Sequence, residues 1–462
     1  MTNKNHKPKS MKHLRQVVLI FFCLAAIGAS AQETNSATFT LPQAIEYATK
    51  NSPNYLNAAL DQQTAEYKKK EITAAGLPQV NGSIDIKDFV VIPTTLLPAA
   101  FAGGAPGQFI PLKFGTQYQS TAGFSASQIL FSNDYIFALK AQREYLNLSR
   151  INVNRSKAEL ASQVSKAYYS VLINRDRVKL LDANIKRLGK MYEDTKSLNS
   201  QGFTEQIDVE RLEVQFNNLV SEMDKTQKLI GLSETMLKFQ MGYDLKQPII
   251  LADSLSAFES DFQELNTSNI DISQRPEYQL LVSQQKLYEL DAKRLKWGYL
   301  PTLAAYGSYQ WTSNRNNPDF LTSDNNVPTK MWFKTVLIGA TLNVNIFDGF
   351  ARHNKIKQAE ITAMKNQNTL KNMELGAQLE ATMASITYAN AFSTLKMQKK
   401  NMELANHVVE VAQKKYEAGV GSNLEVTNAE TSLKEAQTNY YNAVFDMIVA
   451  KLDYQKATGT LK

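Results

Sequence analysis

Cysteine is almost absent from this chain of 462 residues, in which Cys23 is the single example. Cys23 lies in an apolar run near the N-terminus, and the Phe21-Phe22 pair before it differs from the small residues of a lipoprotein cleavage site. One cysteine excludes a disulfide framework within the chain. We therefore expect stability to come from a large core or from assembly with other copies.

Proline is missing from two long stretches, between Pro111 and Pro248 and after Pro328. Glycine is also scarce there, and each of the segments 134–200 and 351–418 contains one. Both stretches are rich in Ala, Leu, Lys, Glu and Gln, which favour helix. The sequence thus predicts two helices of roughly 100 Å each, a length typical of coiled coils and helical tunnels rather than of globular domains.

The helices that follow these two stretches carry apolar residues at spacings that sum to seven. This pattern indicates helices packed along their length, as in antiparallel coiled coils, although the core of an ordinary bundle also fits it. The positions are Leu212, Phe216, Leu219, Met223, Ile230 and Leu237 in the first helix, and Ala429, Leu433, Ala436 and Tyr440 in the second.

Positive charge is concentrated at the N-terminus, ahead of the apolar run Val17–Ala29 and the small residues Ala29-Ser30-Ala31. This order predicts a secretory signal peptide over residues 1–31, cleaved near Ala31, because the run is too short to span a bilayer. A retained membrane anchor is the alternative. Cleavage removes five positive charges and lowers the net charge from +7 to +2. The basic balance is then partly a targeting effect, and no nucleic-acid partner is expected.

Catalytic motifs are missing as well. His353 and His407 are the only histidines beyond the predicted leader, and neither lies in a recognised metal-binding motif. The sequence contains no phosphate-binding loop and no nucleophile elbow. We therefore expect no enzymatic activity, no cofactor and no metal site.

The chain repeats itself in a fixed order. Asn51-Ser52-Pro53 returns as Gln274-Arg275-Pro276, and Gln201–Val209 returns as Ala418–Val426. Such self-similarity indicates a duplicated structural unit. We predict a first structural repeat over residues 32–255 and a second over 256–462, intertwined rather than separate globular domains.

Four segments alternate polar and apolar residues, which is typical of β-strands. The clearest is Thr335–Phe347, and the others begin near Val80, Tyr118 and Thr302. Each is about as long as the 9–11 residues that cross a bilayer as a tilted strand. The sequence therefore predicts strands of an outer-membrane barrel, with a half-buried soluble sheet as the alternative. The segments Asp88–Phe114, which is apolar, and Thr312–Lys334, which is polar, are predicted to be loops.

Four strands are too few to close a barrel, since barrels start near eight strands. Open sheet edges cannot stand in hydrocarbon, because unpaired backbone groups there cost several kcal/mol each. Several chains must therefore share one barrel. Three chains would supply twelve strands, enough for an aqueous lumen, whereas two would give a barrel filled with side chains.

Several short motifs resemble those of the TolC-type outer-membrane efflux protein family. They are Asn51-Ser52-Pro53, Leu77-Pro78 before a strand, Ile346-Phe347-Asp348-Gly349 before a long helix, Gly-x5-Asp/Glu-Val at each helix turn, and the ending Ala457–Leu461. The resemblance covers roughly residues 38 to 462 and implies a mainly α fold with a membrane β-barrel. Long antiparallel coiled-coil helices would form a periplasmic tunnel, and each chain would give four strands to a trimeric twelve-stranded barrel. The implied partners are two further copies in a homotrimer, a periplasmic adapter (membrane fusion) protein, an inner-membrane transporter and outer-membrane lipid.

Two helical turns are the predicted functional tips. Gly202 and Gly419 suit a left-handed C-cap, and Ser422-x-x-Glu425 suits a capping box. The resemblance implies that the tips meet the adapter and close the tunnel, and we expect Phe203, Val420 and Leu424 to supply apolar contacts. The predicted adapter-binding residues are Gly202, Phe203, Thr204, Gly419, Val420 and Leu424.

The resemblance also implies a tunnel gate at Asp208, Glu425 and Asn428. Glu425 and Asn428 lie three residues apart and so share a helical face. A ring of three Glu425 carboxylates would favour cations. The chain departs from the family pattern at Asn428, where a second carboxylate is usual, and at Gly421, where some members have arginine; Asp208 and Glu425 could equally be acids favoured at helix N-termini.

The leading interpretation is an outer-membrane duct for small toxic compounds. The alternatives are a duct of a type I protein secretion system and a periplasmic coiled-coil scaffold without a channel.

Overall fold

The computed structural model describes residues 37–461 apart from residues 104, 106, 114, 256, 257 and 259–270. The predicted signal peptide, residues 1–31, lies outside the described residues. The division into two repeats stays a prediction.

Two very long helices dominate the chain. Helix α3 spans Asn133–Ser200 and helix α6 spans Ala351–Glu417, with 68 and 67 residues. Their predicted bounds are confirmed to within one residue. Each helix runs without a break because its stretch has no proline and only one interior glycine. Each long helix is followed by a shorter one, α4 over Gln206–Met241 and α7 over Asn423–Ala457. None of the helices in the described part of the chain combines the length and apolar character needed to span a membrane.

Three shorter helices lie ahead of strand pairs in the chain. Helix α1 spans Leu41–Asn51, α2 spans Pro53–Ala74 and α5 spans Pro276–Trp297. Proline opens both α2 and α5, a position where its missing N–H costs nothing. A short parallel pair, β1 over Ala37–Phe39 and β6 over Ile249–Leu251, lies near α1.

The four predicted strands form one antiparallel sheet in the order β2-β5-β7-β8. Their bounds are Gln79–Asp88 for β2, Tyr118–Phe131 for β5, Thr302–Arg315 for β7 and Phe333–Asn343 for β8. Among the described residues, β2 pairs only with β5 and β8 only with β7, so each leaves one edge open.

The pairing register brings the alternating residues of all four strands to common faces. Val80 lies opposite Ala126, which lies opposite Gly307, which lies opposite Ile338. Residues directly opposite each other share a face of the sheet. One face therefore carries Val80, Ile84, Ile86, Phe124, Tyr309, Trp311, Val336, Ile338 and Leu342. The other is mostly polar and includes Asn81, Ser83, Ser125, Ser308, Gln310 and Thr341.

The last predicted strand is shorter than expected. Strand β8 ends at Asn343 rather than at Phe347, and Asn343 pairs with Thr302 at the start of β7. Pro301 comes just before Thr302 and has no N–H to extend the ladder. The alternation of polar and apolar residues therefore continues to Phe347, beyond the last residue that pairs with β7.

Both predicted loops contain strand structure. A hairpin of β3, Thr94–Pro98, and β4, Phe109–Lys113, occupies the segment predicted as an irregular loop over Asp88–Phe114. Strand β7 continues through Arg315 because Thr312–Arg315 still pair with β5, so the second loop begins later than predicted. The hairpin was not predicted because the proline and glycine residues of the first segment argue against strands in sequence.

The chain divides into two compact units. Unit 1 contains most residues of the two helical hairpins, α3–α4 and α6–α7, and unit 2 contains the four-stranded sheet. Unit 1 comprises the described residues within Met1–Ser52, Leu160–Leu265 and Ala389–Val449, and unit 2 comprises those within Pro53–Glu159, Asn266–Tyr388 and Ala450–Lys462.

The core of unit 1 lies between the helices of each hairpin. One buried cluster joins α3 and α4, and a second joins α6 and α7, while Met191 packs against both. The predicted heptad positions Leu212, Leu219 and Leu433 lie in these clusters, which agrees with helices packed along their length. The clusters are Leu181, Leu188, Leu212 and Leu219, and Val409, Ala412, Val426, Ala429 and Leu433.

Candidate functional site

The two tips, residues 201–205 and 418–422, are turns of the same design. Gly202 has φ +81° and Gly419 has φ +74°, which confirms the predicted left-handed caps. The Gly202 N–H donates to Asn199 O at 2.9 Å, and the Phe203 N–H donates to Leu198 O at 2.9 Å. Gly419 and Val420 donate in the same way to Tyr416 O and Lys415 O, both at 3.0 Å. Each long helix thus ends in a Schellman motif, which forces the chain to reverse.

Three of the predicted adapter-contact residues present apolar side chains to solvent. The exposed fraction is 74% for Phe203, 80% for Val420 and 48% for Leu424. Ile207 is equally exposed at 48%, and sequence reasoning missed it. The repeat offset of 217 that relates Phe203 to Val420 also relates Ile207 to Leu424, and it was the signal that could have found Ile207.

Thr204 and Gly421 have turn-forming roles. The Thr204 hydroxyl donates to Thr195 O at 3.3 Å, and its carbonyl accepts from Asn199 Nδ2 at 2.8 Å. A Cβ atom at Gly421 would stand 2.9 Å from Lys415 Cβ and 3.0 Å from Tyr416 N. The backbone at position 421 lies so close to Lys415 and Tyr416 that it favours glycine there.

Half of the predicted capping box is formed at the second tip. The Glu425 N–H donates to Ser422 Oγ at 3.2 Å, as predicted. The Glu425 carboxylate does not return to the Ser422 backbone among the described contacts, and Lys415 Nζ donates to it at 3.0 Å instead. Glu425 therefore forms an ion pair within its own hairpin.

The other predicted gate residues lie beside Glu425 and at the first tip. Asn428 is exposed on α7 one turn after Glu425, so the two share a surface face. Asp208 lies 3.8 Å from Arg211 Nη1 and is half-buried. Each acidic residue thus has a cationic neighbour on its own hairpin.

The structure brings the two tips together through Asn423. This buried residue opens α7 and donates from Nδ2 to Asp208 O at 2.8 Å. Nearby, the hydroxyls of Thr195 and Tyr416 hydrogen-bond at 3.0 Å between the two long helices. Neither contact was predicted, because nothing in the repeat pairs residues of different copies.

A groove of about 600 Å³ opens between the ends of α3 and α6. Its walls mix charged and apolar side chains, and they include Phe203, Thr204 and Gly419 from the predicted set. Such a groove suits a helical partner that carries both apolar and polar residues. Among the described residues no group of three or more His, Cys, Asp or Glu side chains could hold a metal ion.

Comparison with known proteins agrees with this architecture. Residues 278–460 match the family model described as "Outer membrane efflux protein". Outer membrane protein TolC of Vibrio cholerae serotype O1 is 22% identical over 343 residues, which cover 74% of this chain and 77% of that protein. The solved structure of CusC has a TM-score of 0.70 at 15% identity and covers 91% of this chain and 92% of that one. The Campylobacter jejuni CmeC outer membrane channel has a TM-score of 0.69 at 14% identity, over 91% of this chain and 86% of that one. These matches, together with the paired helical tips and the four-stranded sheet, show that the chain is similar to outer-membrane efflux proteins of the TolC type.

Proposed function

We propose that three copies of this chain form the outer-membrane duct of a tripartite export system. The duct would carry small toxic compounds from an inner-membrane pump and a periplasmic adapter to the exterior. The observation that carries the proposal is the register of the sheet, which gathers apolar side chains on one face and polar side chains on the other. That division is typical of barrel strands between lipid and a watery lumen.

The open edges of β2 and β8 support sharing between chains. Each has one unpaired edge among the described residues, and an unpaired edge is not tolerated in hydrocarbon. Pairing β8 of one copy with β2 of the next would close a ring. Three copies would give the twelve strands predicted from the sequence.

Exposed aromatic residues support a membrane boundary where the strands join the helices. Trp297 and Tyr299 lie just before β7, and Phe347 and Phe350 lie between β8 and α6, all largely exposed. Aromatic side chains gather at both edges of the apolar band in outer-membrane barrels. The helices would then extend from this boundary into the periplasm.

Helix α6 carries an exposed apolar row that supports helix packing between copies. Large apolar patches are uncommon on monomers and usually mark interfaces. The spacing of the row is mostly three, four or seven residues, as in a coiled-coil seam. Its members are Leu375, Leu379, Met383, Ile386, Met397, Leu404, Val408 and Val411.

The tips are the proposed site of adapter docking and gating. Phe203, Val420, Leu424 and Ile207 would contact an apolar stripe of the adapter, since all four are exposed at the turns. Gly202, Thr204 and Gly419 would shape the turns. Asp208, Glu425 and Asn428 would line the closed end of the tunnel.

Membrane fractionation of cells that express the chain tests the proposal. A duct would band with the outer membrane on a sucrose gradient and run as trimers that dissociate on heating. A periplasmic scaffold would remain in the soluble periplasmic fraction. Identification of the inner-membrane transporter that is pulled down with the assembled complex would then distinguish a small-molecule pump from a type I protein exporter.

A further inference from the structure

The segment between strands β2 and β5 has an unusual composition. No residue from Phe89 to Leu112 is charged, whereas 21% of the whole chain is. Asp88 and Lys113 mark its two ends. This segment contains all of the β3–β4 hairpin except its last residue, Lys113, and the hairpin lies between β2 and β5 in the chain.

The hairpin presents apolar side chains to its surroundings. Phe101 at its tip is 85% exposed, and Leu96 and Phe109 are more than half exposed. Its two faces are both apolar, because Leu97 pairs with Ile110 while the neighbouring positions place Leu96 opposite Pro111. A hairpin with one face in water would alternate polar and apolar residues.

The two strands of the hairpin pair only with each other among the described residues. Its strands pair from Thr94 with Lys113 to Pro98 with Phe109, and the Ala99 N–H donates to Gln108 O at 2.7 Å. Pro98 and Pro111 have no N–H, so they leave no unpaired donor and disfavour the addition of another strand. Contact through side chains is therefore favoured over extension of the sheet.

The loop between β7 and β8 lies at the same end of the sheet and is built differently. Tyr118 at the start of β5 pairs with both Asp88 and Arg315, which places the two loops side by side. The fully buried Arg315 holds the second loop by donating to Lys330 O at 3.1 Å and to Thr322 Oγ1 at 3.3 Å. The charged and polar residues of the loop between β7 and β8 suit contact with water, whereas the uncharged, apolar residues of the β3–β4 hairpin do not.

We infer that the segment Phe89–Leu112 is a lipid-contacting hairpin that lies at the polar–apolar interface of the outer leaflet beside the barrel. Its apolar side chains would enter the hydrocarbon, whereas its two strand edges, which no other strand pairs among the described residues, would face headgroups and water, as would Asp88 and Lys113. The inference rests on the proposed membrane barrel. Three hairpins that meet over the mouth of the pore would instead turn one face toward water.

Site-specific quenching tests the inference in the full chain reconstituted into vesicles of phosphatidylethanolamine and phosphatidylglycerol. The mature chain is expected to have no cysteine, because Cys23 lies in the predicted leader. Phe101→Cys, Ser323→Cys and Ile84→Cys are each labelled with an environment-sensitive fluorophore. Ser323 is an exposed residue of the polar loop, and Ile84 is an exposed residue of the apolar sheet face. Heat-modifiable trimers establish that each variant has assembled.

We expect the label at Phe101 to be quenched by spin-labelled lipid and to be at least threefold less sensitive to iodide than the label at Ser323. Equal iodide sensitivity at the two sites would overturn the inference, since the hairpin would lie in water. Protection of Phe101 from both quenchers would also overturn it and would indicate contact between hairpins of different copies. Lipid quenching at Ile84 without lipid quenching at Phe101 would reject this inference alone, whereas its absence at Ile84 would reject the proposed barrel.

Discussion

Arg187 of α3 and Glu430 of α7 form a bidentate ion pair in the interior of unit 1. Arg187 Nε lies 2.9 Å from Glu430 Oε1, and Nη2 lies 2.9 Å from Oε2. Asn184 accepts from Arg187 at 3.0 Å and donates to Gln437 at 2.7 Å, while Gln413 donates to Glu430 at 3.2 Å. This polar network ties the two helical hairpins together, because its members come from α3, α6 and α7.

Glu430→Ala should destabilise the fold strongly. The Glu430 side chain is 6% exposed, and its loss leaves a largely buried guanidinium without its charge partner. Breaking a buried pair typically costs about 3–5 kcal/mol, and the 27% exposure of Arg187 favours the lower end. Thermal unfolding of the helices, followed by circular dichroism, measures the effect.

The control for this prediction is Asp182→Asn, which breaks the exposed pair between Lys186 and Asp182. Surface pairs of this kind contribute little, so the melting temperature should not change measurably. The double variant Arg187→Met/Glu430→Leu should recover much of the loss, because it leaves no unpaired charge. Equal melting temperatures for Glu430→Ala and Asp182→Asn would contradict the assigned role of the pair.

Gly202→Ala and Gly419→Ala should each cost about 1 kcal/mol, because an L-residue is strained at positive φ. Nothing lies within 4 Å of an added Cβ at either position, so backbone conformation alone sets the cost. The matched control is Gly231→Ala within α4, where the space is also open but the backbone is helical. That substitution should stabilise the helix by about 0.5–1 kcal/mol. The same sign of change in melting temperature at all three positions would refute this explanation.

Tyr168→Phe should destabilise the junction of the short parallel strands by about 1–3 kcal/mol at neutral pH. The buried hydroxyl donates to Asp253 Oδ2 at 2.8 Å and lies 3.0 Å from Phe39 O. Burial and the nearby Asp253 carboxylate raise the pKa of this hydroxyl above its usual value. Its contribution is therefore complete below pH about 10 and is lost as pH rises through the elevated pKa.

The difference in unfolding free energy between the wild type and Tyr168→Phe should accordingly shrink only above pH about 10. Tyr67→Phe is the control, since this side chain is exposed on α2 and its hydroxyl has no contact to lose among those described. A difference that disappears in mildly acidic buffer would point to another group and would contradict the role given to Tyr168.

Alanine at Phe203, Val420 and Leu424 together should reduce crosslinking to the adapter at least tenfold while trimers persist. The reason is that these side chains are exposed apolar groups at the turns, where they contribute little to the fold. The comparison variant carries alanine at Leu232, Met236 and Phe239, which are exposed apolar residues of α4 away from the tips. Unchanged crosslinking in the tip variant would remove the tips from the docking surface.

The helices and strands were predictable because they depend on local composition. Proline is absent through α3 and α6, and alternation runs through β2 and β7, so each signal lies within its own element. The β3–β4 hairpin was missed because Pro93, Pro98 and Pro111 resemble loop residues in sequence, although they fit a hairpin with apolar side chains on both faces.

The contacts between the two helical hairpins were less predictable, since they join residues far apart in the chain. Arg187 and Glu430 look like ordinary charged helix residues in sequence, and only the packing of α3 against α7 reveals their pairing. Asn423 looks like a helix-capping residue, whereas its amide reaches Asp208 O on the other tip. Ile207 alone was within reach of the sequence, through the repeat offset that relates it to Leu424.

Single-channel conductance of the purified protein in a planar lipid bilayer tests the central claim most directly. A shared trimeric barrel predicts discrete conductance steps of one size from the trimer band. Glu425→Gln should lower the preference for cations, because it removes a carboxylate at the proposed gate while Asp208 remains; Lys415→Gln, which frees the same carboxylate from its partner, should raise it. Bilayers that stay silent with pure, correctly folded trimers would contradict the duct.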